Sequence, residues 1–284
     1  MPSYVWVLDR TQTFDTDVRG TWATEINNGG VITLSDRSAF GEMSASSSGY
    51  NSSMRPNGAT YKTEIRIEMD VRVVGGSQYL GVALWPLSGG RSIFTINNYG
   101  AISGASVPTS LYRAASSTPQ FDSPPIVSGT AVHALPVWDG VHTFALEVFD
   151  NPEINGKSYR AYVDGMLSLS HDDAKNPMSE KFIGGVFLRQ INVDFLEYRE
   201  YHRELAAATV DVETVIAGTP DVPTPAVVKA FNVSNDALEA QVTSDGVSGI
   251  ASFTTLRSGQ SYYFVARLMD DSYGPEAFGP VVVD

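Results

Sequence analysis

Residues 142–170 read HTFALEVFDNPEINGKSYRAYVDGMLSLS, and this stretch decides the fold class. Phe144, Leu146 and Val148 alternate with Thr143, Ala145 and Glu147, the period-two pattern of a strand with one buried face. The insert Asp150-Asn151-Pro152-Glu153-Ile154-Asn155-Gly156-Lys157 is dense in turn formers, because Asn, Asp and Gly tolerate positive φ and Pro presets its own. A second arm at 159–163 passes through Asp164-Gly165 into a third at 166–170, and Asp-Gly between apolar alternations is a strong hairpin signal. Three such strands make a meander whose apolar face needs a second sheet to cover it. The fold class predicted is all-β, a two-sheet antiparallel jelly-roll sandwich.

Outward from the meander the same pattern recurs. In 61–74, Ile65, Ile67, Met69, Val71 and Val73 face one way, and Glu64, Arg66, Glu68, Asp70 and Arg72 the other, until Gly75-Gly76 ends the strand. In 78–85, Leu80, Val82 and Leu84 oppose Tyr79, Gly81, Ala83 and Trp85. Further strands are predicted at 4–8, 31–34, 91–96, 182–188 and 191–201. The Ser/Gly/Asn-heavy 35–59 reads as loop with one short strand, and the Ser/Pro/Ala-rich 103–136 as a long loop, of the kind that is functional or disordered. Residues 200–208 have helix-forming composition over two turns only.

Past residue 205 the composition changes. Ala206-Ala207-Ala208 and the Pro-spaced 219–225 read as a stiff connector. Five short strands follow at 227–232, 239–244, 249–256, 261–269 and 278–283, enough for a small sandwich. The expected organisation is a jelly-roll domain at 1–205, a Pro-rich linker at 206–225 and a small Ig- or transthyretin-like β-sandwich at 226–284.

Composition excludes several classes. Against 19 Lys plus Arg stand 32 Asp plus Glu, a net charge of −13, and no basic cluster is present to neutralise phosphates. Nucleic acid is therefore not an expected partner. There is no cysteine, which removes disulfides and thiolate metal sites. No run approaches the length of a membrane span, and the opening residues lack the pattern of a secretory signal. Folding in a reducing cytoplasm is the expectation.

The alternation in TEIRIEMDVRVV (63–74), the meander of 139–170 and the closing IGGVFLRQINVDFLEYREY (183–201) together resemble the concanavalin A-like lectin/glucanase superfamily, the laminin-G-like jelly roll. The run VTSDGVSGIASFTTLRSGQSYYFVAR (242–267) resembles carboxypeptidase-regulatory-like or transthyretin-like sandwiches. Modules of that look are found in bacteriophage virion proteins. The resemblance thus implies a virion protein that folds in the host cytoplasm and works outside it.

The sharpest catalytic possibility also comes from the resemblance. Laminarinase-like enzymes set Glu-x-Asp-x-(x)-Glu along one strand face, and retaining hydrolysis needs two carboxyl groups about 5–5.5 Å apart. Here Glu64-Ile65-Arg66-Ile67-Glu68-Met69-Asp70 alternates correctly but places Arg66 where the central Asp belongs. An Arg between two Glu holds both ionised and depresses the pKa that a general acid needs raised. The bland reading, a strand face laced with opposite charges, competes directly.

His133, His142, His171 and His202 share no metal-ligand spacing, and Asp139, Asp150, Asn151 and Asp164 read as turn chemistry, so no metal and no cofactor are expected. The best binding candidate is the face of Tyr79 and Trp85, two aromatics flanking small residues on which a sugar ring could stack. Arg66, Glu68 and Arg91 would supply polar partners if those strands are neighbours. Core packing is the competing use of the same aromatics.

The expected function is non-enzymatic: a structural or adhesive virion protein, in tail, baseplate or capsid appendage, whose lectin-like domain binds carbohydrate. Its expected partners are other virion proteins, further copies of itself in a homo-oligomer and a host surface glycan, without membrane insertion. The alternatives are a polysaccharide-active glycoside hydrolase-like enzyme and a freestanding carbohydrate-binding module.

Overall fold

The computed structural model describes residues 4–27, 31–48, 51–88, 93–98, 109–113, 125–129, 140–216, 222–269 and 275–283. They divide between two compact units, Trp6–Arg203 and Glu204–Asp284, the latter together with Met1–Val5. Among these residues there is no α-helix, only the single 3-10 turns Arg19–Thr21 and Ser38–Phe40.

The first unit is built on β1 (Tyr4–Thr13), β2 (Trp22–Asn27), β3 (Val31–Arg37), β4 (Glu42–Ser48), β5 (Asn51–Pro56), β6 (Ile65–Pro86), β7 (Ile93–Asn98), β8 (Thr109–Arg113), β9 (Val127–Ser128), β10 (Val141–Asn151), β11 (Gly156–Val163), β12 (Met166–Asp173) and β13 (Phe182–Leu205). Two of these strands are very long and antiparallel to each other along most of their length, from Phe182↔Pro86 to His202↔Ile65. Each serves two layers. The first half of β6 pairs with β10 and with the second half of β13, and the order continues β12-β11-β10-β6-β13-β4-β3. The second half of β6 pairs with β7, which leads on to β8 and β9, while the first half of β13 pairs with β5, which leads on to β2. The result is the antiparallel, two-sheet jelly-roll architecture read from the sequence.

The strand expected to end at Gly75-Gly76 instead bends there and continues. Its inward positions are Ile65, Ile67, Met69 and Val71 before the corner, and Leu80, Val82 and Leu84 after it, all at most 1% exposed. Inward residues are odd-numbered in one sheet and even-numbered in the other, so the corner absorbs one extra residue. Opposite it, β13 shifts register between Arg189 and Ile191, where Gln190 adopts φ +47°. Bulges of this kind bend a strand and re-aim its side chains. The two sheets then enclose one core, and Gly184 of the second sheet shows how closely: a Cβ there would lie 2.2 Å from Ile67 Cδ1 of the first.

The meander forms as three antiparallel strands, which run further into the insert than expected, in register Phe144↔Val163 through Asn151↔Gly156 and then Lys157↔Asp173 through Val163↔Met166. Asp164 (φ +50°) and Gly165 (φ +76°) form its tight turn, with Asp164 accepting hydrogen bonds from Thr143 N–H and pairing with His142 at 2.7 Å. The insert is closed from inside by Lys157. This side chain is fully buried, and its Nζ donates to Asp150 Oδ1 and to the carbonyls of Thr63 and Met178 at 2.5–2.7 Å. Asp150 and Asn151, noted as turn residues, are both engaged locally, the latter with Ser158 Oγ and Glu153 N–H.

Four further readings differ from what is observed. Residues 35–59 hold the two strands β4 and β5, whose inward side chains are Met43, Ala45 and Met54 among serines, a weak apolar signal. No helix forms at 200–208, because β13 runs on to Leu205. Residues 207–213, read as connector, are a strand. Of the expected loop 103–136, residues 109–113 and 125–129 contribute β8 and β9, and the remainder lies outside the described residues.

The second unit contains β14 (Ala207–Glu213), β15 (Val215–Ile216), β16 (Val222–Pro223), β17 (Ala226–Asn232), β18 (Leu238–Thr243), β19 (Ile250–Arg257), β20 (Ser261–Leu268) and β21 (Glu276–Val282). Its four-stranded sheet, β18-β17-β20-β21, and the β14-β19 pair share a core of Val228, Ala230, Phe253, Tyr262 and Phe264 with Ala208 and Val212. Alternation of Ala208, Val210 and Val212 explains why that segment is a strand.

Candidate functional site: the ionic face of the first sheet

Positions Arg66, Glu68, Asp70 and Arg72 point away from the core along the first half of β6. Register places Glu147 beside Arg66, Ala145 beside Glu68 and Thr143 beside Asp70 on one flank. On the other flank stand Tyr201, Arg199, Glu197 and Asp194, beside Arg66, Glu68, Asp70 and Arg72 respectively. Cross-strand neighbours of opposite charge stabilise such pairings, and here they are continuous over several strands.

The centre of the face is Arg66. Its guanidinium donates to Glu68 Oε1 at 2.8 Å through Nε and reaches Glu147 Oε1 through its second arm. It also lies over the rings of Tyr162 and Tyr201, at 5.4 and 6.0 Å from their centroids. Both tyrosines turn their hydroxyls to the same carboxylates, Tyr162 to Glu147 at 3.0 Å and Tyr201 to Glu68 at 2.7 Å. Arg199 spans Asp70 and Glu68, at 2.8 and 3.4 Å. Further along, Arg72 and Arg37 share Glu42 and Asp194, and Ser44 also bonds Asp194.

The electrostatics follow from this wiring. Burial alone pushes the Glu68 carboxyl up, but hydrogen bonds from Tyr201 and Arg66, and the charges of Arg66 and Arg199, outweigh it and hold the group below its ordinary value. Tyr201 is pushed up to about 12, by burial and by the neighbouring Glu68. Arg66 is raised: the two glutamates more than offset its desolvation. A general acid needs a carboxyl held neutral near pH 7, and this face drives Glu68 the other way. Among the described residues no three His, Asp or Glu side chains converge as a metal-ligand set.

The residues singled out from the sequence fall into two groups. Arg66 and Glu68 are joined here, on the outside of the first sheet. Tyr79 and Trp85 belong to the outside of the second, across the sandwich core from them, so the same strand separates the two pairs instead of uniting them. Trp85 is 6% exposed, Ala83 is fully buried, and both belong to a second apolar cluster with Phe94, Tyr112, Ile183 and Phe187. Phe94 stacks on Tyr112 and on Phe187 with centroids 5.5 and 4.9 Å apart. The open aromatic groove expected there is a packed layer. Tyr79, at its margin, is half-buried with Arg189 over its ring at 5.3 Å. Arg91 lies outside the described residues.

Sequence reading missed Glu147, Tyr162, Arg199 and Tyr201 as members of the face. The signal available was parity alone, since each is the polar partner of an alternating strand. Register, which brings them to Arg66, is a tertiary property.

No family model matches the chain, and no curated protein matches it. Solved structures do. The carbohydrate recognition domain of Emp46p in its potassium-bound form is similar at 16% identity, covering 64% of this chain and 88% of that one, with a TM-score of 0.43. A Bacillus licheniformis beta-glucanase is similar at 14% identity over 68% of this chain and 97% of that one, TM-score 0.44. A protein of unknown function with a galectin-like fold from Bacillus subtilis is similar at 10% identity over 70% and 99%, TM-score 0.49.

Proposed function

We propose that this chain is a non-enzymatic structural and adhesive protein whose lectin-like jelly-roll domain binds carbohydrate, working in a virion as a multimer. One observation carries the non-catalytic part. The carboxylates of the strand that could resemble a hydrolase motif are each tied to arginine, and Glu68 is held below its ordinary pKa. Two carboxyl groups with divergent pKa values are what hydrolysis requires, and Arg66 works against that divergence.

The adhesive part rests on the same face. Arg66, Tyr162 and Tyr201 are only partly buried, and planar donors beside aromatic rings suit polyhydroxylated ligands. The virion setting extends from the resemblance of 242–267 to small sandwiches of virion proteins, and from the absence of cysteine. Two measurements on the purified chain test the reading. Light scattering is expected to give a defined multimer, and a panel of β-glucans and bacterial polysaccharides is expected to release no reducing sugar. Release of sugar that disappears in Glu68→Gln would replace this reading with a glycoside hydrolase.

A further inference from the structure

At one end of the ionic face the wiring changes character. Phe149 of β10 carries two guanidinium groups over its ring, Arg160 at 4.8 Å and Arg203 at 4.6 Å from the centroid. Arg203 is neutralised by Glu64 at 2.9 Å. Arg160 is not neutralised. Among the described residues it pairs with no carboxylate, although Glu147 lies directly opposite it in the register. The reason is geometric: Glu147 Oε1 is taken by Arg66 and Oε2 by the Tyr162 hydroxyl. Arg160 therefore lies against the Phe149 ring, and it is exposed.

We propose that the Arg160–Phe149–Arg203 cluster is the subsite for an acidic sugar, a saccharide bearing a carboxylate or sulfate group. This rests on the carbohydrate-binding reading above and names the ligand class for the same face. A guanidinium held flat on an aromatic ring keeps its edge donors free and loses little side-chain freedom when an oxyanion arrives. The net charge of −13 does not forbid an anion here. At physiological salt, exposed charges beyond about 8 Å are largely screened, and of the arginines around Phe149 and Tyr162, Arg66 and Arg203 are each paired with a glutamate while Arg160 is not. The Tyr162 hydroxyl beside it offers the sugar a neutral hydrogen-bonding partner.

The test is calorimetric titration of the full chain with paired probes, oligogalacturonides against their methyl esters and sulfated against unsulfated dextran oligomers. The acidic member of a pair is expected to bind at least about tenfold tighter, the scale of one charge-assisted hydrogen bond, and to weaken as salt rises. Arg160→Ala is expected to erase that preference, and Arg160→Lys to restore part of it, with thermal melting unchanged in both because the side chain is exposed. Equal affinity for both members of each pair, or a preference that survives Arg160→Ala and Arg160→Gln, overturns the subsite but leaves carbohydrate binding standing. Binding of none of the four probes, with a wider set of neutral and acidic bacterial glycans also silent, overturns both.

Discussion

The two outward faces of β6 are made by one strand, on either side of its parity change, yet they are held by opposite physics. Around Arg66 the outer side chains are ionic and tyrosine-bearing, and each carboxylate is matched by a guanidinium. Around Trp85 they are aromatic and almost as deeply buried, stacked as Phe94, Tyr112 and Phe187. The aromatic layer gains from area removed from water, a non-directional term that salt does not screen. The ionic layer gains only where geometry is good, because desolvation offsets much of the attraction. What it supplies is register: Arg66 bridges β6 to β10, Arg199 bridges β13 to β6, and Arg72 reaches β4. A one-residue slip of β6 would put Arg66 and Arg72 among the apolar positions, and a slip of β13 would do the same to Arg199.

That contrast can be broken from either side. The largest effect is expected in the aromatic layer, where Phe187→Ala removes a fully buried ring and should cost about 3–5 kcal/mol, equally at low and high salt, in denaturant unfolding. Arg66→Met should cost about 3 kcal/mol, since it leaves Glu147, 6% exposed, without a guanidinium and Glu68 with Arg199 alone. Replacing Glu68 and Glu147 with Leu in the same chain should recover most of that loss; a failure to recover would mean that the face stabilises by more than its own charge balance. Smaller still is the pH response. Because the folded-state pKa of Glu68 is depressed, its contribution is fully present above the unfolded glutamate value and is lost as pH falls through the lowered one. Thermal melting of the wild type should therefore fall on acidification more steeply than that of Glu68→Gln, and parallel curves would contradict the wiring. At the rim, Glu197→Gln should change stability by less than about 1 kcal/mol, since its pair with Arg199 is long, 3.8 Å, and partly in water.

How much of this was legible in the sequence depended on the kind of signal. The meander was readable because its alternation and its Asp164-Gly165 turn are both local, and the observed register follows from them. The strands of 42–56 were hidden because their inward residues are interspersed with Ser, so little hydropathy contrast marked them. The strand at 207–213 was hidden by its small Ala residues and by the prolines just beyond it. For the site, parity told which side chains share a face and nothing about what covers that face. Tyr79 and Trp85 alternate as regularly as Arg66 and Glu68, yet one set lines a packed layer and the other an ionic surface. The bend of β6 at Gly75-Gly76, which puts the two sets on opposite sides of the sandwich, changes parity by one residue over a stretch where the sequence signals only a stop.

The central claim is that Arg66, Arg199 and Tyr201 hold Glu68 ionised, the observation on which the proposed non-catalytic role rests. Titrating the side-chain carboxyl of Glu68 by carbon NMR, assigned by its loss in Glu68→Gln, reads the claim directly. The midpoint is expected below the ordinary glutamate value and should rise in Arg66→Met. A wild-type midpoint near about 6, the range of a glycosidase general acid, would contradict it.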